Sequence, residues 1–384
     1  MKVFKKILIF ITISSITIAT LIGGASKNLF INLNYNSKTP IKVAVFLYRA
    51  NDNYISQVRK NLEDIQKENE GKVEFSFFDG NGNQGIQNES IDKALNENFD
   101  LFIINLVDTK LDAIKDIFNK IAQKNIPFIL DGTSTKDIIN FIKSYNRTVF
   151  IGSDAQQSGV LEGKIIVNSW NANKQAIDKN NDNVLQYIML RGKINSPGAI
   201  DRTKYSISTI NDAGIKTEEL ASKFCDWEKE CAKTNVESLF LNYVDKIEAI
   251  IANNDAMAIG AIEALQKYGY NKGNKEKNIL VVGIDALPEA KDLVNKGFMT
   301  GTVIQDPRAE ADALYSVGMN LVYDKAPLEG TNYKVDNTGI TIRLPYEEYI
   351  KPWKNSNLGT SFLQHILGKF LQLLRVEYLI KRQL

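Results

Sequence analysis

From Ile41 onward the chain alternates short, almost wholly apolar runs with segments whose apolar residues recur every three or four positions. The apolar runs, rich in β-branched and aromatic residues, predict strands: IKVAVFLY, KVEFSFF, DLFIINL, IPFIL, TVFIGS, VLQYIML, IEAIIA, ILVVGI and MTGTVI. Between them lie stretches of helical spacing: 53–66, IDKALNE, DAIKDIFNKIAQ, SGVLEGKIIVNSW, a segment after Asp201, AMAIGAIEALQKYG and LPEAKDLVNKG. Continuous apolar strands, each followed by a helix, imply parallel sheets covered on both faces. Two such sets in tandem predict an α/β protein of two doubly wound lobes.

In open sheets of this kind, ligands sit outside the carboxyl ends of the strands. The polar residues there are Asp52 and Tyr54 after the first strand, Asn254 after IEAIIA, Asp285 after ILVVGI and Gln305 after GTVI. Arg202 follows MLRGKINSPGA, and Trp227 lies nearby in sequence. The set is one of carboxylates, amides and a guanidinium, without a nucleophile, and it suits neutral polyhydroxyl ligands. Tyr54 and Trp227 can lie against the C–H faces of a sugar ring. Singly, Asn254 and Asp285 read equally well as helix caps.

Composition narrows the chemistry further. The 384 residues allow two domains, and 44% hydrophobic with 24% charged residues is ordinary for a globular protein. A net charge of +2 gives no reason to expect nucleic acid as a partner. One histidine, His365, and two cysteines, Cys225 and Cys231, leave a His-based triad, a Cys/His dyad and a histidine-rich zinc site without parts. No catalytic set is found, so the chain is not expected to be an enzyme.

The start has the layout of an export signal: Lys2, Lys5 and Lys6, an apolar run over 7–22, and the small residues Gly23-Gly24-Ala25. The segment 1–25 is therefore read as a signal peptide or an uncleaved signal-anchor. In an exported protein Cys225 and Cys231 either close a small disulfide loop or remain free thiols. One further stretch, DKNNDNVLQ, sets side-chain oxygens at alternate positions: Asp178, Asn180, Asp182 and, beyond Val184, Gln186. On its own it reads either as a metal site or as a solvated turn.

Six blocks in order then carry a resemblance: DNYISQVRK, INLVD, IGSDAQQSG, IIANNDAMAIGAIEAL, VVGIDALPEA and GTNYKVDN. Over about Ile41 to Lys351 the chain resembles the bacterial galactose/glucose-binding proteins, the exported receptors of sugar ABC importers. The resemblance implies two lobes joined by a three-crossing hinge that closes on the sugar. It places the first lobe at 41–149 plus 307–340 and the second at 150–306 plus 341–353. It also implies calcium as a cofactor, held by Asp178, Asn180, Asp182, the Val184 carbonyl, Gln186 and a remote Glu248. Ca²⁺ takes six to eight oxygens. Asn183 stands where Gly is usual and is among the few residues that tolerate left-handed geometry there.

At the implied sugar site Asp52, Tyr54, Arg202, Trp227, Asn254 and Asp285 match the family, and Gln305 replaces an Asn. Three positions depart. The family's GHPDAEAR reads NSPGAIDR, so Ser196 and Gly198 stand where a His and an Asp are expected. Gly132 stands where an Asn is expected, with Asp131 one residue early as its substitute. Weaker binding of galactose and glucose is the expectation. The tail 355–384 has no counterpart in the family; its apolar and basic residues at helical spacing suit a membrane, a partner or an extra helix.

The implied partners are a monosaccharide and an ABC permease. An alternative is a sensor that presents ligand to a membrane kinase or chemoreceptor. A sugar-responsive repressor would need an N-terminal helix-turn-helix, where this chain has its export signal. A monomer held at the extracytoplasmic face of the cell membrane is expected, or in the periplasm where an outer membrane exists.

Overall fold

Strand β1 (Ile41–Leu47) shows how the first sheet is built. Its alternate residues Val43, Val45 and Leu47 enter one apolar cluster, while Ala44 and Phe46 enter another on the opposite face. A strand buried on both sides must read as a continuous apolar run. The structure, a computed structural model, describes residues 39–351. The N-terminal apolar run and the 355–384 tail lie outside them.

The first lobe continues with α1 (Ile55–Glu68), β2 (Val73–Asp79), α2 (Gln84–Ala94), β3 (Leu101–Asn105), α3 (Leu111–Gln123), β4 (Phe128–Asp131), α4 (Lys136–Ile142) and β5 (Thr148–Ser153). The second holds α5 (Ala155–Ile177), β6 (Val184–Arg191), α6 (Pro197–Asp212), β7 (Lys216–Phe224), α7 (Lys229–Tyr243), β8 (Ala249–Ala252) and α8 (Asp255–Lys267). It ends with β9 (Leu280–Asp285), α9 (Pro288–Lys296) and β10 (Gly301–Ile304). The chain then returns to the first lobe for α10 (Pro307–Val322) and β11 (Thr341–Leu344), and crosses once more for β12 (Glu347–Ile350).

Each sheet has six strands, in the orders β11-β5-β4-β3-β1-β2 and β12-β10-β9-β8-β6-β7. All neighbours pair in parallel except β12, which runs antiparallel to β10. Both sheets are covered on both faces by apolar clusters. These are the two doubly wound lobes that the apolar pattern predicts.

The chain passes between lobes after Ser153, after Gln305 and after Pro345. The first two crossings run straight into helices capped by aspartates: Asp154 accepts from the Gln157 amide, and Asp306 from those of Arg308 and Ala309. The lobe boundaries differ from those expected. Residues 150–153 complete β5 and residues 341–344 form β11, and both strands belong to the first sheet. Hydrogen bonding along a strand carries each past the point where sequence matching cuts it. Among the described residues no helix is long and apolar enough to cross a membrane.

Candidate functional site

Strand ends from both lobes meet around a cavity of about 320 Å³, and all eight residues expected at a ligand site line it. Asp52, Tyr54 and Asp131 come from the first lobe. Arg202, Trp227, Asn254 and Asp285 come from the second, and Gln305 sits on the second crossing.

Arg202 is the centre of the second-lobe wall. It is 7% exposed, the one basic side chain buried among the described residues. Its Nη1 donates to the Asn253 carbonyl at 2.7 Å, and its Nη2 donates to Gln305 Oε1 at 2.8 Å and Tyr346 Oη at 3.0 Å. Asp285 is its ion-pair partner at 3.8 Å. Burial pushes the Asp285 carboxyl well up, against the pull of Arg202. Asp285 itself has φ +123° and does not cap α9, whose N-cap is Leu287. A non-glycine residue held there is backbone strain of the kind found at ligand clamps.

Trp227 is placed by its backbone and by a glycine. Asp226 and Trp227 both adopt left-handed φ, +49° and +70°. The indole lies on Gly192, where an added Cβ would come within 2.2–2.3 Å of ring atoms. Asn254 Nδ2 donates to the Trp227 carbonyl at 3.2 Å, while its Oδ1 accepts the Met257 amide and caps α8. Asn254 is therefore both helix cap and cavity wall. The Arg202 guanidinium lies 5.8 Å from the indole centroid, within cation–π range.

In the first lobe Asp52 Oδ1 accepts the Tyr54 and Ile55 amides at 2.9 and 3.0 Å, and Oδ2 accepts the Tyr48 hydroxyl at 2.5 Å. Tyr54 donates its hydroxyl to Glu310 Oε2 at 2.8 Å. Asp131 ends β4, and its Oδ2 accepts Asn105 Nδ2 at 3.1 Å. Gly132, at φ +97°, turns the chain so tightly that a Cβ would meet that same Asn105 amide at 2.7 Å. Asp131 thus faces the cavity from the position before the expected one.

Four lining residues were not among those expected: Asn105 and Tyr48 at the ends of β3 and β1, Lys193 in the loop after β6, and Glu310 on α10. Tyr346, on the third crossing, is bonded to Arg202 and Gln305. Glu310 was detectable. It shares a buried stripe of α10 with Leu314, Val317 and Leu321, where a carboxylate has no packing reason to be. At the altered positions, Ser196 Oγ caps α6 by accepting the Ala199 amide at 3.4 Å. Gly198 lies against the other lobe, with Thr133 Cγ2 only 3.0 Å from where a Cβ would be.

The lobes touch across the cavity mouth. Lys193 Nζ donates to the Val107 carbonyl at 3.0 Å. Arg49, from the loop after β1, pairs with Glu228 at 2.8 Å and Asp226 at 3.4 Å. Those two residues flank Trp227 in the turn before α7.

The DKNNDNVLQ loop precedes β6. Asp178 accepts the Asp182 and Asn183 amides at 3.1 Å each, and Asp182 Oδ1 accepts the Val184 amide at 2.8 Å. Asn183 has φ +64°, the left-handed geometry expected of it. Glu248 is 1% exposed and accepts the Lys179 and Gln186 amides at 2.8 and 2.9 Å, which ties the loop to the start of β8. Burial pushes its carboxyl up to about 7, with Asp178 and Asp182 adding to the rise. Among the described residues no three His, Cys, Asp or Glu side chains form a ready metal cluster. The donor set nonetheless fits a hard cation. Asn180 and Gln186 turn their amide nitrogens on Asp182 Oδ2 at 2.8 Å each, and a half-turn of either amide puts an oxygen in the same place.

Cys225 and Cys231 are free thiols. They lie side by side, both within reach of Asn235 Nδ2, at 3.7 and 3.5 Å.

A model of the periplasmic binding protein domain matches residues 43–326. The D-galactose/methyl-galactoside binding periplasmic protein of Haemophilus influenzae is 34% identical over 306 residues, 79% of this chain and 88% of that protein. The chain belongs to the periplasmic binding protein family. Within this family it is also similar to the ribose import binding protein of Escherichia coli, at 25% identity over 76% of this chain and 87% of that one. Among solved structures it shares its fold with an ABC transporter solute-binding protein from Bacillus halodurans with bound myo-inositol. That match has a TM-score of 0.65 at 23% identity and covers 82% of this chain and 96% of the other. A solute-binding protein from Actinobacillus succinogenes with bound D-allose matches at a TM-score of 0.66 and 20% identity, over 82% and 98% of the two chains. Periplasmic binding proteins bind and hand over their ligands without converting them.

Proposed function

We propose that this protein is an exported, monomeric receptor that binds a monosaccharide-like polyol between its lobes. It presents that ligand to the permease of an ABC importer at the extracytoplasmic face of the cell membrane. The observation that carries this reading is the Arg202 node. A buried guanidinium, held by Asp285, Gln305 and Tyr346, forms a rigid donor wall opposite the carboxyl groups of the first lobe. Tyr54 and Trp227 add aromatic surface for the C–H faces of a ring. Relatives named for galactose and ribose, and neighbours holding myo-inositol and allose, all take polyols.

Binding would order both lobes around the ligand, and the contacts at the mouth would hold the closed form. Ser196 and Gly198 offer this wall neither imidazole nor carboxylate, so galactose and glucose are expected to bind more weakly than about micromolar. The test is a thermal-shift screen of monosaccharides followed by calorimetry. A ligand bound only by the native state must raise the melting temperature. If no monosaccharide at millimolar concentration does so, the reading fails.

We further infer that the loop holds a calcium ion through Asp178, Asn180, Asp182, the Val184 carbonyl, Gln186 and Glu248. The ion would neutralise three neighbouring carboxylates and fasten the start of β6 to the start of β8.

A further inference from the structure

The cavity is richer in acid than in base. Five carboxyl groups line it (Asp52, Asp108, Asp131, Asp285 and Glu310) against Lys110, Lys193 and Arg202. Arg202 pairs with Asp285 and bonds Asn253, Gln305 and Tyr346, keeping its Nε free, Lys193 bonds the Val107 carbonyl, and Lys110 is exposed. Asp52 already accepts three hydrogen bonds from its own lobe. Asp131 and Glu310 remain, at 4% and 1% exposure, and their carboxyl groups approach each other within hydrogen-bonding range. Each is held from behind, Asp131 Oδ2 by Asn105 at 3.1 Å and Glu310 Oε2 by Tyr54 at 2.8 Å. Asp131 Oδ1 is buried with no hydrogen-bond partner.

Two buried carboxylates this close cannot both be ionised unless a cation or a shared proton lies between them. A neutral hydroxyl brings one donor and no charge. An ammonium group brings three donors and the compensating charge. Among the described residues no cationic side chain is bonded to either carboxyl group: the Arg202 charge reaches Glu310, but its Nη atoms are spent on Asn253, Gln305 and Tyr346, and the pair lines the cavity. We propose that Asp131 and Glu310 form a subsite for a protonated amino group, and that the ligand is an amino sugar or a comparable amino polyol. This rests on the reading of the cavity as a polyol site and narrows its ligand class. Burial, followed by the presence of Glu310, pushes the Asp131 carboxyl well up. The same two residues account for the departure at Gly132: the family's neutral amide is replaced by an acid one position earlier, facing a second acid on α10.

Calorimetry at pH 7 on the receptor tests this with glucose, galactose, their 2-, 3- and 6-amino-deoxy counterparts and the N-acetylated amines. At least one amine should bind about ten-fold or more tightly than its parent sugar. N-acetylation, which removes the charge, should abolish that gain. In Glu310→Gln and Asp131→Asn the amine-to-parent affinity ratio should fall to about one. If every amine binds no tighter than its parent, or if the ratio survives in both variants, the proposal is overturned while the polyol reading stands. If neither sugars nor amines bind, the polyol reading itself falls. The wild-type comparison is decisive even where a variant fails to fold.

Discussion

Replacing Arg49 by Met should weaken ligand binding without touching the cavity. Arg49 reaches from the first lobe to the Trp227 turn of the second, with its side chain 17% exposed and its carboxylate partners 56% and 53% exposed. Pairs as exposed as these contribute about 0.2–1 kcal/mol each. The bond from Nη2 to the Asp226 carbonyl, at 2.9 Å, adds about 1 kcal/mol. All three exist only when the lobes are together, so the closed form loses about 2 kcal/mol in the variant. That shifts the closed-to-open ratio by about 30-fold, at about 1.4 kcal/mol per factor of ten. Because the ligand needs the closed form, the apparent Kd should rise by up to the same factor when the open form dominates without ligand. Calorimetry measures the Kd, and small-angle scattering should show a larger radius of gyration for the unliganded variant. High salt should narrow the difference between variant and wild type, because the pairs are half-exposed. A Kd within about two-fold of wild type in a normally folded variant would refute the latch.

Three further outcomes are expected. Chelation should lower the melting temperature of a preparation shown by elemental analysis to contain calcium, and Glu248→Gln should reproduce most of the loss; an unchanged melting temperature removes the structural role of the ion. Gly192→Val should displace the Trp227 indole, which lies within 2.2–2.3 Å of the new Cβ, and cost ligand affinity at least about ten-fold with a changed tryptophan emission. Protein recovered from an oxidising compartment should carry a Cys225–Cys231 disulfide, read as resistance of both thiols to alkylation until reductant is added. Complete alkylation without reductant would show that the two neighbouring thiols stay apart.

What the chain discloses about its fold follows burial. β3, β8 and β9 are buried along their whole lengths, so each reads as an unbroken apolar run. β7, β11 and β12 lie at sheet edges. β7 reads KTEELASKF, with no residue fully buried, and nothing in that pattern separates it from a loop. The helix over Lys136–Ile142 has seven residues, too few for a period of 3.6 to declare itself. α2 begins at Gln84, seven residues before its apolar stretch, because Asn83 caps it and its first turns bury only Gln87.

The site was legible at many strand ends with a polar side chain, though not at Asn105, which ends β3, and Asp131, which ends β4, came only from the resemblance; its chemistry was not legible. Strand-end logic assigns equal weight to Asp52, Asn254, Asp285 and Arg202, and the hydrogen bonds divide them. Asp52 spends three acceptor positions inside its own lobe, and a carboxylate has about four. Asn254 spends its oxygen on the Met257 amide and a donor on the Trp227 carbonyl. These two shape the wall and keep little capacity for a ligand. Asp131 and Glu310 retain theirs, yet Asp131 stands one residue away from the expected position, and Glu310 lies in a helix no strand-end search visits. Such groups are found by asking which buried polar atoms the protein leaves unpaired, since burial without a partner costs about 1–3 kcal/mol and persists only where something else supplies the bond. Asp131 Oδ1 and Arg202 Nε are such atoms, and both residues line the cavity. The residues that choose the ligand are therefore those the protein has not already satisfied: the Asp131–Glu310 pair, where we place the cationic group, beside the free Arg202 Nε–H, which suits a hydroxyl.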